Sequence, residues 1–204
     1  MASYRYYYTQ FVGDVNDRPV ILGAENFTGI ALIDTDVYIP GGNGDEWYIN
    51  QNQFYRQIRN FVFDLTLINW TNSDNEQTYV PTGIHWQVAQ ATSLQNLYFN
   101  MPESTDTETT TAVGIFMENG SGGFLSDLVF FGGNIGFRAG NQQYTARNLH
   151  FESCLTAISM IWDWVSNFLF SFLFCLSTFL IHHSVHYSVH HSADSTSDAG
   201  IYMV

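Results

Sequence analysis

Four short segments of the chain share one pattern of apolar and polar positions. Each has Asn or Asp, then Phe or Leu, then any residue, then Phe. The segments are IRNFVF (58–63), LQNLYF (94–99), LSDLVF (125–130) and ARNLHF (146–151). Apolar residues at every second position are typical of a β-strand with one buried face. The pattern therefore predicts four related strands whose Phe residues point into a core.

A second group of apolar segments lies between the members of the first. They are GIHWQV from Gly83, VGIFME from Val113, NIGFRA from Asn134 and TAISMI from Thr156, and TGIALI near Ile30 is interpreted as an earlier member. The step from this group to the first is nearly constant: Ile84 lies 12 residues before Asn96, and Ile135 lies 13 before Asn148. The steps back vary from 8 to 24 residues.

One constant and one variable spacing, repeated along the chain, indicate a solenoid. Strands joined by Gly and Asn turns, without an amphipathic helical stretch, predict an all-β fold, a right-handed parallel β-helix. Each coil would stack on the next, the Asn positions would form ladders at the turns, and the variable steps would be loops on one face. A β-sandwich is the competing fold, but its hairpin signals are weak here.

Composition narrows the function. The chain has 19 Asp and Glu residues, 6 Arg and no Lys, a net charge of −13. Nucleic acids and anionic membranes are therefore not expected as partners, since both are bound by clustered cations. With 17% aromatic and only 12% charged residues, the surface suits a carbohydrate, although a β-rich secreted protein without such a ligand would have the same composition. Neither a metal nor another cofactor is predicted.

Several longer stretches resemble glycoside hydrolase family 55, the fungal and bacterial β-1,3-glucanases of the pectate-lyase-like superfamily. They include GIHWQVAQATSLQNLYFNM (83–101), GIFMENGSGGFLSDLVFFGGNIGF (114–137) and GNQQYTARNLHFESCLTAISMIWDW (140–164), and the likeness runs from about Tyr7 to Trp164. The resemblance implies a right-handed β-helix and an exo-acting, inverting 1,3-β-glucan hydrolase. It also implies a much longer chain with two tandem β-helices, the substrate between them and the general acid, a Glu, in the second. We therefore expect this chain to be an incomplete, inactive N-terminal β-helix domain of residues 1–164.

The resemblance also suggests site residues. Gln142 and Gln143 in GNQQY look like the family's water-positioning or sugar-contacting amides. Glu118 in the Gly-rich turn MENGSGG is a candidate for substrate binding, and a catalytic role for it stays open. Asp127 occupies the Asn position of its repeat, so a structural role is expected for it.

Aromatic residues supply the other candidates for substrate binding. His85 and Trp86 are neighbours, so strand alternation should point one of them outward and the other into the core. Trp162 and Trp164 share one face and are candidates for lining the cleft. The family is secreted, and three Asn-X-Ser/Thr sequons agree with that, but no signal peptide is visible at the start of the chain.

Two other functions use the same fold. A pectate-lyase-type enzyme would need a cluster of carboxylates for Ca²⁺ and a Lys or Arg base. The chain has no Lys, and no acidic cluster is evident beside Arg138 or Arg147. A non-catalytic β-helix module that binds glycans is the second alternative.

Residues 165–204 differ from what precedes them. After Trp164 no charged residue occurs until Asp194, and the segment is apolar and then His-rich. Val165-Ser166 can be encoded by GTA-AGT or GTG-AGT, the consensus of an intron donor, and a transcript sequenced across this junction tests whether the segment is a retained intron. A membrane anchor is disfavoured because Val165–Ile181 is short of the roughly 20 residues of a span and has no flanking cation. The segment is expected as a helix or as disorder.

The tail also holds five histidines, which are His182, His183, His186, His190 and His191. Two pairs of them stand four residues apart, so a metal site would be geometrically feasible on a helix. The near-repeat HSVHYSVHH favours translated non-coding sequence instead.

Overall fold

The computed structural model describes residues 2–3, 8–72, 77–78, 80–105, 108–164 and 167–175, with side chains for 8–70, 80–105 and 108–163. Within these residues the chain forms fourteen strands and one 3₁₀ turn at Asn50–Asn52. The strands are β1 (Ala2–Ser3), β2 (Gln10–Val12), β3 (Val20–Leu22), β4 (Ile33–Asp34), β5 (Gln57–Asp64), β6 (Thr71–Asn72), β7 (Gln77–Thr78), β8 (Thr82–His85), β9 (Thr92–Asn100), β10 (Val113–Met117), β11 (Ser121–Phe131), β12 (Ile135–Cys154), β13 (Thr156–Trp164) and β14 (Asn167–Cys175).

The strands form two stacks of parallel neighbours. The first stack runs β1, β4, β8, β10, the first part of β12, and β13. The second stack runs from β2 and β3 through β5, β9, β11 and the second part of β12 to β14. Each turn of the chain thus adds one strand to each stack, which is a parallel β-helix. The predicted fold class is confirmed, and β6 and β7 form a separate antiparallel pair in a loop.

The Phe that ends each first-group segment lies in one continuous aromatic stack. Ring centroids of consecutive members are 5.2, 5.0 and 4.7 Å apart, with ring planes within 12° of parallel. The members are Phe63, Phe99, Phe130 and Phe151, all of them buried. These distances match the spacing of neighbouring strands in a sheet, so register alone places each ring on the next.

A column of small residues faces this stack. Cβ atoms added at Gly83, Gly114 and Gly136 would come within 2.6–2.8 Å of the rings of Phe99, Phe130 and Phe151. The two stacks of strands therefore approach each other closely because these positions carry no side chain. This contact explains why Gly precedes the apolar residue in three of the second-group segments.

The predicted Asn ladder is present at the corner within each first-group segment. Asn60, Asn96, Asp127 and Asn148 all have φ between 49° and 63°. Asn and Asp tolerate this left-handed conformation better than other residues with side chains. Their side chains also bond from coil to coil, from Asn96 Nδ2 to Asn60 Oδ1 at 3.0 Å and from Asn148 Nδ2 to Asp127 Oδ1 at 2.6 Å.

Register corrects the alignment of two second-group segments. Phe137, not Ile135, pairs with Ile115, and Ile33, not Ile30, pairs with Ile84. The sequence alignment matched Ile with Ile, whereas Phe137 occupies the core position that Ile occupies in neighbouring coils. Ile30 is 40% exposed, whereas Ile33 is buried.

Part of the apolar tail also differs from expectation. Asn167–Cys175 form neither a helix nor disorder but strand β14, parallel to β12 with three register irregularities. The last coil presents unpaired backbone groups that template a further strand, and Phe and Leu suit a pleated surface. The five tail histidines lie outside the described residues. Within the described ranges, no helix is long and apolar enough to cross a membrane.

The aromatic stack predicts where a truncation destabilises most. Phe130 is fully buried between two stacked rings, whereas Phe124, on the same strand, is 40% exposed. We expect Phe130→Ala to lower the free energy of unfolding by about 3–5 kcal/mol, and Phe124→Ala by about 1 kcal/mol or less. Urea denaturation followed by far-ultraviolet circular dichroism measures both, and similar losses in the two variants would contradict the central role of the stack.

Candidate functional site

A cluster of polar side chains lies on the outer side of the first stack of strands. Ile84 and Trp86 point into the core, so His85 between them points outward. His85 is nevertheless fully buried, because residues 35–50, which we call the roof segment, cover this part of the sheet. The roof segment is itself held to the sheet by Thr35, whose Oγ1 donates to the carbonyl of His85 at 2.9 Å.

Three charged groups meet on this surface, and parallel register aligns two of them, Asp34 and His85. His85 pairs with Asp34 in β4 on one side and with Phe116 in β10 on the other. His85 Nδ1 lies 2.8 Å from Asp34 Oδ1, and His85 Nε2 lies 3.4 Å from Glu118 Oε2. The side chains of Asp34, His85 and Glu118 are 1%, 0% and 39% exposed. The cluster thus leads from a buried carboxylate through an imidazole to a carboxylate at the surface.

The imidazole is held charged. Burial alone would lower the pKa of His85, but the contacts with Asp34 and Glu118 outweigh it and raise the pKa to about 9. The same His85 contact lowers the pKa of Glu118 from its ordinary value, with further help from Tyr38 and Arg138 against the effect of burial. Glu118 is therefore an ionised acceptor at neutral pH.

Tyr38 of the roof segment completes the environment of Glu118. Its hydroxyl donates to Glu118 Oε2, the same oxygen that faces His85. Gln87 Oε1 lies 3.1 Å from the same hydroxyl, and Gln87 Nε2 donates to Glu46 Oε1 at 2.6 Å. A single network therefore connects the roof segment to two successive coils.

Asp36 is the second carboxyl group under the roof. It is 1% exposed, and its pKa is raised to about 8 by burial and by the neighbouring Glu46 carboxylate. Asp36 is therefore protonated at neutral pH. The backbone N–H of Asp36 donates to Asp34 Oδ1 at 3.0 Å, which fixes the carboxylate that faces His85.

An indole and a guanidinium lie near Glu118. Trp162 Nε1 donates to the carbonyl of Glu118 at 2.9 Å from two coils away. Gly140 lies between them, and a Cβ there would be 2.9 Å from that indole nitrogen, so only glycine lets the indole pass. Arg138 lies over the ring of Phe116 at 5.4 Å from its centroid.

The predicted site residues fall in three places. His85, Glu118 and Trp162 belong to this cluster, whereas Trp86 is in the core and donates from Nε1 to the hydroxyl of Tyr144 at 3.2 Å. Alternation therefore separated His85 from Trp86, as expected. Trp164 ends β13, and its side chain lies outside the described residues.

Gln142 and Gln143 lie at the bend of β12 between the two stacks. The backbone N–H of Gln142 donates to Asn141 Oδ1 at 2.7 Å, and Gln143 has a φ of 59° and an exposed side chain. Their described contacts do not include Glu118. Their role as water-positioning amides therefore stays a prediction.

Sequence reasoning missed four members of the cluster, which are Asp34, Asp36, Tyr38 and Glu46. All four belong to or adjoin the roof segment, which has no repeat pattern to align. A usable signal did exist: aligning Ile33 with Ile84 places Asp34 beside His85. Within the part of the chain that the structure describes, no three His, Cys, Asp and Glu side chains are arranged to hold a metal ion.

The buried acid and the buried imidazole predict how stability depends on pH. Folding raises the pKa of Asp36 from 3.8 to about 8 and that of His85 from 6.5 to about 9. Between pH 3.8 and about 8 at Asp36, and between pH 6.5 and about 9 at His85, the folded chain keeps a proton that the unfolded chain has released. The free energy of unfolding therefore falls as pH rises, by up to about 1.4 kcal/mol per pH unit for each proton.

Asp36→Asn separates the two contributions. The amide has no proton to lose, so we expect a shallower fall in stability between pH 3.8 and 6.5, below the window of His85. Urea denaturation across that range measures the slope. Asp17→Asn, at an exposed position, is the control and should keep the original slope, and an unchanged slope in the Asp36 variant would contradict the assignment.

Comparison with known proteins places this geometry in a family. The family model described as rhamnogalacturonase A/epimerase, pectate lyase-like, matches residues 4–171. The match extends seven residues past the boundary predicted at Trp164 and into β14.

Several curated proteins are similar over about four fifths of the chain. A probable glucan endo-1,3-beta-glucosidase of Arthroderma benhamiae is 51% identical over 164 residues, which are 80% of this chain and 17% of that protein. A non-secreted LysM effector of Penicillium expansum is 49% identical over 160 residues, 78% of this chain and 12% of that protein. A glucan 1,3-beta-glucosidase of Cochliobolus carbonum is 38% identical over 159 residues, 78% of this chain and 19% of that protein.

This chain spans less than a fifth of the length of each of these relatives. The similar region contains the whole cluster from Asp34 to Trp162. The parallel β-helix and the family match agree, and the resemblance to β-1,3-glucanases is confirmed by the names of two relatives. The chain therefore belongs to the rhamnogalacturonase A/epimerase family of pectate-lyase-like proteins.

Proposed function

We propose that this chain forms one wall of the glucan-binding cleft of an inverting β-1,3-glucan hydrolase of the glucan 1,3-beta-glucosidase type, and that Glu118 is its main contact with the sugar. The observation that carries the proposal is the position of Glu118. Its side chain is 39% exposed, while His85, which faces it, is buried and Tyr38 is half-buried. Carboxylates that accept hydrogen bonds from hydroxyls, beside an aromatic face, are what a neutral sugar requires.

The neighbours of Glu118 fit the same ligand. The indole of Trp162 is anchored to the Glu118 carbonyl, and Arg138 supplies hydrogen-bond donors nearby. Gln142 and Gln143, one corner further along β12, are proposed to contact the sugar or to orient the attacking water. His85 acts through Glu118 rather than on the sugar, and Trp86 supports the site from the core.

We further propose that this chain does not hydrolyse glucan by itself. A general acid must hold a proton at working pH and reach the glycosidic oxygen. Glu118 is held ionised, and Asp36, which is protonated at neutral pH, is buried under the roof segment. The acid would come from a second β-helix, as in the family, and the complete protein would act outside the cell. Residues 1–164 would be the family domain, and 165–204 the aberrant tail.

A non-catalytic glycan-binding module is the second candidate function. Relatives named LysM effectors, 46–49% identical over 160 residues, contain the same region in proteins that are not named as hydrolases. This alternative predicts binding without a requirement for a second domain. It shares the contact at Glu118, so binding and hydrolysis must be measured separately.

Binding of laminarioligosaccharides tests the role of Glu118. We expect Glu118→Gln to weaken binding about 10-fold, the value of one charge-assisted hydrogen bond. Glu152→Gln is the matched control, because Glu152 is 55% exposed on the other stack of strands, and it should bind normally. Isothermal titration calorimetry measures both, and equal affinities of the two variants would overturn the assignment.

Hydrolysis of laminarin tests whether the general acid lies outside this chain. We expect no glucose release above a buffer blank from a chain whose β-sheet signature in far-ultraviolet circular dichroism shows that it is folded. Detectable turnover would contradict the proposal that the acid lies elsewhere. In that case Glu118 would be the first residue to replace.

A further inference from the structure

The strongest unexplained feature is that three separate parts of the chain converge on Glu118. His85 comes from the preceding coil, Tyr38 from the roof segment, and Asp34 stands behind His85 in the coil before that. Both direct contacts fall on Oε2 of Glu118, from His85 Nε2 at 3.4 Å and from the Tyr38 hydroxyl. A surface carboxylate needs no such support in order to be stable in water.

We propose that Asp34, His85 and Tyr38 are positioning residues that fix Glu118 as an ionised acceptor for sugar hydroxyls and prevent it from acting as a proton donor. The inference rests on the proposed function, because it assigns a use to the same carboxylate. The inference identifies the residues that keep Glu118 ionised. It also assigns roles to Asp34 and Tyr38, which belong to no sequence motif.

Neighbouring side chains hold the imidazole in place. The centroid of the His85 ring lies 5.2 Å from that of Phe116, with the ring planes 18° apart. It lies 5.9 Å from the centroid of Tyr38, with the planes 33° apart. Its Nδ1 is held at 2.8 Å by Asp34, which in turn accepts the backbone N–H of Asp36 at 3.0 Å. The contact with Asp34 at Nδ1 therefore turns Nε2 toward Glu118, and two aromatic rings lie close to the imidazole.

The charges around Glu118 favour its ionised form over its protonated form. A protonated imidazole removed from water is stable only beside negative charge. Asp34 supplies one such charge and Glu118 the other, while Asp36 is neutral at neutral pH. Protonation of Glu118 would leave the imidazolium with one partner, so the network resists it. The titratable and charged groups facing Glu118 are His85, Tyr38 and Arg138.

Carboxyl titration by ¹³C NMR tests this directly. Chain labelled at Glu side chains is titrated with acid, and the Glu118 signal is assigned by its loss in Glu118→Gln. We expect His85→Gln to shift the titration midpoint of Glu118 upward, and Tyr38→Phe to shift it upward by less. His150→Gln is the matched control, because His150 forms a similar contact with Glu152 at 3.5 Å, and it should leave Glu118 unchanged.

Binding supplies a second readout that a merely structural role would not move. Affinity for laminarioligosaccharides should be lost as pH falls through the pKa of Glu118, and this loss should begin at higher pH in His85→Gln. Tyr38→Phe keeps the inference testable if the His85 variant fails to fold. An unchanged Glu118 midpoint in a folded variant of either residue would overturn it. Shifted midpoints in a chain that binds no oligosaccharide would instead reject the proposed function alone.

Discussion

The core and the polar cluster of the described residues both depend on the parallel register between successive coils. Because neighbouring parallel strands lie about 4.8 Å apart, a residue type repeated at one position forms a column. Phe at that position gives the aromatic stack, Asn gives the corner ladder, and Gly lets the two stacks of strands approach each other. A shift of one residue would turn each of these columns to the wrong face. The positions are therefore coupled, and each column keeps the others in register.

The polar cluster uses the same register for a different purpose. Columns in the core repeat one residue, whereas the outward column holds Asp34, His85, Phe116 and Arg138 in successive coils. Opposite charges and aromatic rings therefore lie side by side on neighbouring strands, and no separate loop is needed to position each side chain. Burying such charges is costly unless they are paired. Here Asp34 and Glu118 pair with His85, and the roof segment adds the Tyr38 hydroxyl as a donor to Glu118. The strand register aligns these side chains, and the roof segment covers them to form the candidate site.

Repetition decides how much could be predicted. The four Phe segments and the Asn ladder were predicted because the same residues recur in the same register. The alignment failed at Ile135 and Ile30, where a different apolar residue fills the core position, and at Asn167–Cys175, where composition suggested a helix and the sheet edge selected a strand. His85 and Trp162 were proposed as aromatic candidates, and Glu118 as a carboxylate in a Gly-rich turn, for the sugar chemistry that the family resemblance implies. Asp36, Tyr38 and Glu46 were missed because the roof segment occurs only once and no period relates it to the coils. Asp34 was missed because Ile30 was aligned with Ile84 in place of Ile33.

The roof segment also explains why two carboxyl groups of the cluster, Asp36 and Glu118, differ in protonation. Asp36 is enclosed with Glu46 and has no cation as its main neighbour, so burial and the second carboxylate keep its proton on. Glu118 stands at the edge of the roof, where water and the imidazolium both favour the charged form. Environment thus assigns the two acids opposite states. The protonated acid is buried and the accessible acid has no proton, and under the proposed function this surface would therefore hold a sugar rather than protonate it.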